Sequence, residues 1–242
     1  MKSTLAKIFF YLSLISTALF ILSGYGYQWD VWGLGTAFTL LTYGAYAAIG
    51  LLVIQTGFFF FMKEQDFPTK AMVLTGFLLT LLVTATAVFW QYKARSVPPI
   101  HDITTNIQNP PEFVAMVRLR EDAPNPPEYA GQETAEQQQE AYPDIQTLTI
   151  DAPAQVVIDE IVALITEREW TIVSVNREDG RVEATEKLPW FGFKDDVVFR
   201  IESDNGTTRV DMRSKSRVGR SDIGVNADRI NEFLSDLDES FE

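Results

Sequence analysis

The sequence RVDMRSKSRVGRSDIGVNADRI, from Arg209 to Ile230, organises the second half of the chain. It begins as a strand, because Val210 and Met212 alternate with polar residues. It continues as a polar, cationic loop from Ser214 to Ser221 and enters a helix near Asn226. A basic loop that leads into a helix N-terminus favours an anion, since free backbone N–H groups point outward there. The stretch therefore predicts a strand, an anion-binding loop and a helix.

Alternating apolar residues and turn signals extend this pattern upstream. Asn205-Gly206 predicts a tight hairpin, and Asp151 with Pro153 marks the start of a helix that runs to about Glu169. A closing helix is predicted from Asn226 to Ser240. Strands are predicted over residues 145–150, 170–175, 181–187, 196–202 and 207–213. The fold class is therefore α+β, an antiparallel sheet of about five strands covered by two helices.

Charge is divided unevenly along the chain. Residues 1–97 carry six Lys or Arg against three Asp or Glu, whereas the remainder carries fourteen against thirty. So acidic a balance argues against nucleic acid as a partner, because binding it needs a basic surface. The chain has no cysteine and a single histidine, which excludes disulfides, thiolate metal sites and multi-histidine sites within one chain. We predict no metal, no cofactor and no catalytic residue.

Three apolar stretches in the first 95 residues predict membrane-spanning helices. They run over about residues 5–23, 31–62 and 71–90, each long enough to cross a bilayer core. The first also fits a cleavable signal peptide, although its length and the two spans that follow favour a retained anchor. Gly44 and Ala48 permit close approach of another helix. No span carries an ionisable residue at mid-depth, so the helices read as an anchor in the lipid bilayer rather than a transport path.

The basic residues next to the spans predict the orientation. Lys2 and Lys7 precede the first span, and Lys63 and Lys70 lie between the second and third. Positive loops face the cytoplasm, so everything after the third span is expected on the other side. Lys93 and Arg95, after the third span, oppose this assignment, but the four basic residues on the other side outnumber them. We expect a multi-pass protein of the bacterial inner membrane with an extracytoplasmic domain.

Composition divides the chain into three parts. Residues 1–95 form the predicted membrane anchor, and residues 144–242 form the predicted soluble α+β domain. Between them, residues 96–143 are rich in proline, glutamine and glutamate, and one helix is predicted from Gly131 to Ala141. Because this segment also carries scattered apolar side chains, we expect it to pack along the domain as extended chain.

The strongest candidate for ligand binding is the cationic stretch after Met212. Arginine forks suit phosphate and carboxylate groups, and an internal network with nearby aspartates such as Asp195, Asp196, Asp211 and Asp222 is the alternative. The candidate anion-binding residues are Arg213, Lys215, Ser216, Arg217, Arg220 and Asn226. A second polar set, expected to form hydrogen bonds and ion pairs, is His101, Asp102, Asp195, Asp196 and Asp222.

Two pairs of adjacent polar residues invite a catalytic interpretation. His101-Asp102 and Asp195-Asp196 have the chemistry for acid–base work. Neighbouring side chains on extended backbone point in opposite directions, however, so neither pair is well placed to act together. The aromatic residues Trp190, Phe191 and Phe193 lie in a loop between strands, where they can reach the membrane, close a cavity or cover the end of the sheet.

Several separated motifs resemble the domain-of-unknown-function family 1499. They are HDITT at His101–Thr105, the Pro110-Pro111 step with Phe113, AYPDI at Ala141–Ile145, EAT at Glu183–Thr185, the Asp195-Asp196 pair, and the stretch Arg209–Ile230. The similarity extends from about His101 to Leu237. It implies that the proline-rich segment and the compact domain belong to one unit, in a family whose similar members are often bacterial and carry a hydrophobic N-terminal region. The resemblance implies no activity.

The predicted function is a non-enzymatic, membrane-anchored binding module. Its expected partners are the lipid bilayer and an anionic lipid, a small anionic molecule or an envelope protein. An envelope hydrolase that uses Asp195, Asp196 and His101 is the alternative from another class. A membrane scaffold that recruits a protein partner is the third.

Overall fold

The computed structural model describes residues 2–60 and 65–242 and divides into two compact units. One contains the N-terminal part up to Tyr92 together with the loop Pro189–Gly192. The other contains Lys93–Leu188 and Phe193–Glu242. The three-part division drawn from composition stays a prediction.

The first unit is built from long apolar helices. They are α1 (Lys2–Gln28), α2 (Leu34–Phe59) and α3 (Phe67–Ser96), whose last residues belong to the second unit. All three are long and apolar enough to cross a membrane. They match the three predicted spans, except that the expected end of the second span, and Lys63, lie outside the described residues. The length and composition of these helices support membrane association of the chain.

Small and polar side chains hold the three helices together. Ser16 Oγ on α1 donates to the Gly44 carbonyl on α2 at 3.3 Å, and a Cβ at Gly44 would lie 2.9 Å from the Phe20 nitrogen. The close approach that Gly44 permits is therefore used by α1 of the same chain. Gln55 is fully buried and joins all three helices, since it donates to Ser13 Oγ at 2.8 Å and accepts from Thr80 Oγ1 at 3.1 Å.

The second unit is an antiparallel sheet of six strands. They are β1 (Asp102–Thr104), β2 (Leu148–Ile150), β3 (Thr171–Asn176), β4 (Arg181–Lys187), β5 (Lys194–Asp204) and β6 (Thr207–Ser216). The order is β1-β6-β5-β4-β3, with β2 also paired to β6. The α+β class is confirmed. The additional strand is β1, which comes from the segment expected to be an extended connector.

Strand β6 is longer than predicted. Ser214, Lys215 and Ser216 belong to it rather than to a loop, because β1 pairs with it as far as Lys215 and β5 pairs with it as far as Ser216. The polar composition hid an ordinary alternation, Arg-Ser-Lys-Ser-Arg from residue 213 to 217, in which the cations share one face and the serines the other. The prediction of a loop over these three residues was therefore wrong.

Each face of the sheet is covered by a different part of the chain. Helices α5 (Ala154–Glu167) and α6 (Val225–Glu239) pack on one face, where Val197 and Phe199 point into the main core. Val198 points to the other face and packs with Phe113 and Met116. Met116 belongs to a 3-10 helix at Ala115–Arg120, and Phe113 lies just before it. The predicted helix in this segment is α4 (Gln132–Ala141). The proline-rich segment is therefore the second layer on the sheet.

Candidate functional site

The candidate residues on β6 separate by strand alternation. Arg213 and Lys215 point towards the face covered by the proline-rich segment, and Ser214 and Ser216 point towards α6. Although they belong to the charged set, Arg213 and Lys215 are each only 1% exposed. Buried cations need carboxylate and carbonyl partners, and both residues find theirs in the segment that covers this face.

Asp102 is the shared carboxylate of Arg213 and Lys215. Arg213 donates from Nε to Oδ1 at 2.8 Å and from Nη2 to Oδ2 at 2.9 Å, and Lys215 Nζ lies 3.1 Å from Oδ2. The Ala130 N–H also donates to Oδ2 at 3.0 Å. Burial lowers the pKa of Lys215, and Asp102 partly offsets this effect. One fully buried carboxylate thus serves as the shared counter-ion of two cations.

The guanidinium of Arg213 is enclosed by the proline-rich segment. It lies 4.9 Å from the Phe113 ring centre and 5.4 Å from that of Tyr129. It also donates to the carbonyls of Pro111 at 3.1 Å and Pro127 at 3.0 Å. Burial, followed by the nearby Asp102 charge, raises the pKa of Tyr129 to about 12. Arg213 therefore ties the sheet to its second layer.

Asp196 forms a second shared site on the same face. Arg217 binds it with two hydrogen bonds of 2.8 Å, and Arg120 Nη1 donates to Oδ2 at 2.7 Å. Thr185 Oγ1 completes the arrangement at 2.7 Å. Burial lowers the pKa of Arg120, against the effect of Asp196. Two arginines share one carboxylate here, which leaves a local excess of positive charge.

Asp195 points to the opposite face of the sheet and binds Arg229 of α6. Arg229 Nη2 donates to Asp195 at 2.7 Å, and Nε donates to Glu186 at 2.5 Å. Burial opposes the charge on Arg229, but the two carboxylates together raise its pKa. Asn226 accepts from Ser214 Oγ at 2.6 Å and donates to Ser216 Oγ at 3.0 Å. Asn226 is fully buried within this network.

The start of α6 carries an anion that the chain itself supplies. The Asp222 carboxylate accepts from the Gly224 N–H at 2.8 Å and from the Asn226 N–H at 2.9 Å. These are the free N–H groups at which the sequence predicted a bound anion. Arg220 is exposed, and no carboxylate of the described residues lies within ion-pair distance of it. Of the cations proposed to bind an anion, Arg220 is thus the accessible one, and the role of the whole set stays a prediction.

The two aspartates of the hydrolase alternative do not face each other. Asp195 and Asp196 bind different arginines on opposite faces of the sheet. His101 precedes β1, and its carbonyl accepts from the Ser216 N–H at 3.0 Å. Burial and then the charge of Lys215 lower the pKa of its imidazole. Within residues 2–60 and 65–242, no group of three or more potential metal ligands is brought together.

Three structurally important charged residues were not singled out from the sequence. Arg120 shares Asp196, and Arg229 bridges Asp195 and Glu186. Glu183 is fully buried and accepts from three successive N–H groups, those of Val114, Ala115 and Met116, at 2.8–3.2 Å. Strand alternation in the EAT motif would place Glu183 on the same face as Thr185, but its partners follow Pro111 and are distant in sequence. No local sequence pattern predicts these partners of Glu183.

A groove of about 480 Å³ lies beside Tyr129, the residue whose ring contacts Arg213. Its lining is mainly uncharged and combines Tyr129 with glutamines of the proline-rich segment and α4. The lining residues are Ile107, Gln108, Pro110, Tyr129, Gly131, Gln132, Ala135, Glu136 and Gln139. None of the predicted anion-binding residues lines this groove, so it adds nothing to that prediction.

Comparison with known proteins identifies the second unit. Residues 102–237 match the family described as "Protein of unknown function (DUF1499)". The comparison with curated proteins gives no match. The matched range begins at β1 and ends within α6, so it includes Asp102, Asp196 and residues 102–143 of the proline-rich segment. Because more than half of the chain is matched, the protein belongs to the DUF1499 family.

Proposed function

We propose that this protein is a non-enzymatic, membrane-anchored module of the bacterial inner membrane whose soluble unit lies outside the cytoplasm and binds an anionic group. The observation that carries the proposal is the excess of cations over carboxylates near the end of β6. Arg120 and Arg217 share Asp196, and Arg220 is exposed without a carboxylate partner among the described residues. This excess stands out in a half of the chain with fourteen basic and thirty acidic residues.

The buried networks favour binding over catalysis. A general base must be free to exchange a proton with a substrate, whereas Asp196 is fully buried and bound by two arginines and a threonine. An exposed arginine, by contrast, can form charge-assisted hydrogen bonds with a phosphate or carboxylate without breaking an existing ion pair. Arg220 supplies that group, and Arg217, one of the two arginines bound to Asp196, lies three residues before it in sequence.

Native mass spectrometry of the gently extracted full-length protein tests the binding proposal. We expect the wild type to retain an anionic small molecule or lipid. Arg220→Gln should retain clearly less, because it removes the exposed guanidinium that has no carboxylate partner among the described residues. Arg209→Gln is the matched control, since Arg209 is also exposed but lies at the other end of β6. A ligand-free mass for the wild type, or equal retention in both variants, would contradict the proposal.

The orientation is tested separately by cysteine labelling. The chain contains no cysteine, so Ser240→Cys near the end of α6 introduces a single reactive thiol at an exposed position. We expect a membrane-impermeant maleimide to label it from the side opposite the cytoplasm in intact cells with a permeabilised outer layer. Labelling that requires lysis of the inner membrane would place the soluble unit in the cytoplasm and overturn this part of the proposal.

A further inference from the structure

The hairpin formed by β4 and β5 carries two like-charged pairs, one directly after the other. Glu186 lies opposite Asp195, and Lys187 lies opposite Lys194. Directly opposed residues of antiparallel strands project from the same face with Cβ atoms about 5 Å apart, and like charges there are destabilising. Successive pairs project from opposite faces. The hairpin therefore presents one acidic and one basic pair to its two faces.

Among the described residues, the acidic pair has a cationic partner, whereas the basic pair has no carboxylate partner. Arg229 lies between the carboxylates, 2.5 Å from Glu186 and 2.7 Å from Asp195. Lys187 and Lys194 are both exposed, and within residues 2–60 and 65–242 no carboxylate lies within ion-pair distance of either ammonium group. Asp196, two residues after Lys194 on the same face of β5, is already bound by Arg120 and Arg217. Among the described residues the basic pair thus has no counter-ion, and both ammonium groups are accessible to an anion from outside the chain.

The tip of the same hairpin belongs to the unit of membrane-spanning helices. Pro189–Gly192 groups with that unit, and the Trp190 indole N–H donates to the Ile21 carbonyl of α1 at 2.8 Å. The Phe191 ring stacks on Phe38 of α2 at 5.6 Å between ring centres. The sequence left three roles open for Trp190, Phe191 and Phe193, and the first two pack on apolar helices. By sequence, Lys187 and Lys194 are each two residues from this tip.

We infer that Lys187 and Lys194 bind the headgroup phosphate of an anionic phospholipid. A phosphate held between two ammonium groups replaces their mutual repulsion by two charge-assisted contacts, as Arg229 does for the acidic pair. A phospholipid is the source that fits a hairpin whose tip packs among membrane helices, because basic residues beside a membrane segment attract anionic headgroups. The inference rests on the proposed function, for which it names the ligand class and a second part of the site.

The test uses the full-length protein and native mass spectrometry with equal amounts of phosphatidylglycerol and phosphatidylcholine. We expect the wild type to retain phosphatidylglycerol preferentially. The double variant Lys187→Gln with Lys194→Gln should bind it on the order of thirtyfold more weakly, from about 1 kcal/mol for each basic residue. Arg209→Gln, the matched control at the far end of the sheet, should behave as the wild type.

A stability measurement separates binding from folding. In the absence of anionic lipid, the double variant should be at least as resistant to urea as the wild type, because a repulsive pair has been removed. In the presence of phosphatidylglycerol, the double variant should be less resistant than the wild type, because it binds the lipid more weakly. Unchanged retention in the double variant would overturn the inference. If Arg220→Gln alone abolished retention, or if the wild type retained inorganic phosphate without lipid preference, the proposed function would stand and the phospholipid site would not. If the wild type retained no anion at all, both the proposed function and the phospholipid site would be overturned.

Discussion

Replacing Asp196 by alanine is expected to lower the free energy of unfolding of the soluble unit by about 3–5 kcal/mol. The change removes the carboxylate that Arg120 and Arg217 share and leaves two guanidinium groups without their counter-ion. Arg120 is only 1% exposed, so water cannot replace the lost contact. Hydrogen exchange of the β5 and β6 amides in the full-length protein measures the loss locally.

Asp195→Ala is the matched control for this prediction. The two residues are adjacent and chemically identical, but Arg229 retains Glu186 at 2.5 Å when Asp195 is removed. We therefore expect a clearly smaller loss. An equal or larger loss at Asp195 would contradict the interpretation that unpaired buried cations dominate.

A rescue variant tests the same point from the other direction. Asp196→Leu combined with Arg120→Met and Arg217→Met removes the whole ionic site and leaves apolar side chains of similar volume. Because complete replacement of a buried ionic network is often neutral, we expect most of the lost stability to return. Failure to recover would show that the hydrogen bonds from Arg120 to backbone carbonyls matter more than charge balance.

Replacing Asp102 by asparagine is expected to destabilise the soluble unit by a comparable amount, about 3–5 kcal/mol near neutral pH. The asparagine keeps the size of the side chain but removes the charge that balances Arg213 and Lys215. Strand β1 should loosen first, since Asp102 is its first residue and the only carboxylate in it. Exchange of the Thr104 and Ala130 N–H groups reports this step.

The deficit of the Asp102→Asn variant should also depend on pH. Burial lowers the pKa of Lys215 and the Asp102 charge raises it, so loss of that charge lowers the folded-state pKa further. A lysine whose folded pKa lies below its unfolded value binds more protons when unfolded, and stability then rises with pH up to about the unfolded pKa of 10.4. The difference between wild type and variant should therefore shrink as the pH is raised from 7 towards 10. A constant or growing difference would contradict a role of Lys215 in the deficit.

The same network explains why the proline-rich segment belongs to the domain. Its prolines prevent a long helix, yet it buries Phe113 and Met116 on the sheet and supplies the carbonyls that bind Arg213 and Lys215. Glu183 in turn accepts the first N–H groups of its 3-10 helix. The segment and the sheet satisfy each other's buried polar groups, so neither is expected to be stable without the other.

Apolar patterning determined much of this protein directly from the sequence. The three long apolar stretches gave helices able to span a membrane, and the strand alternation together with Asn205-Gly206 gave the hairpins of an α+β domain. These features could be predicted because the spacing of apolar residues that are close in sequence indicates which face of a helix or strand is buried. The family motifs were also visible, and the match over residues 102–237 confirmed them.

Only the tertiary structure decided where the charges went. The sequence predicted Arg213 at the end of a strand and Lys215 and Arg217 in a polar loop, with Asp195 and Asp196 as candidate partners. Instead, β1 joined the edge of β6 and brought Asp102 to Arg213 and Lys215. Asp196 found Arg120, which lies in a segment with no strand or helix signal, and Asp195 turned to Arg229. A buried charge selects its partner by distance across layers of the fold, and sequence separation carries no information about that distance.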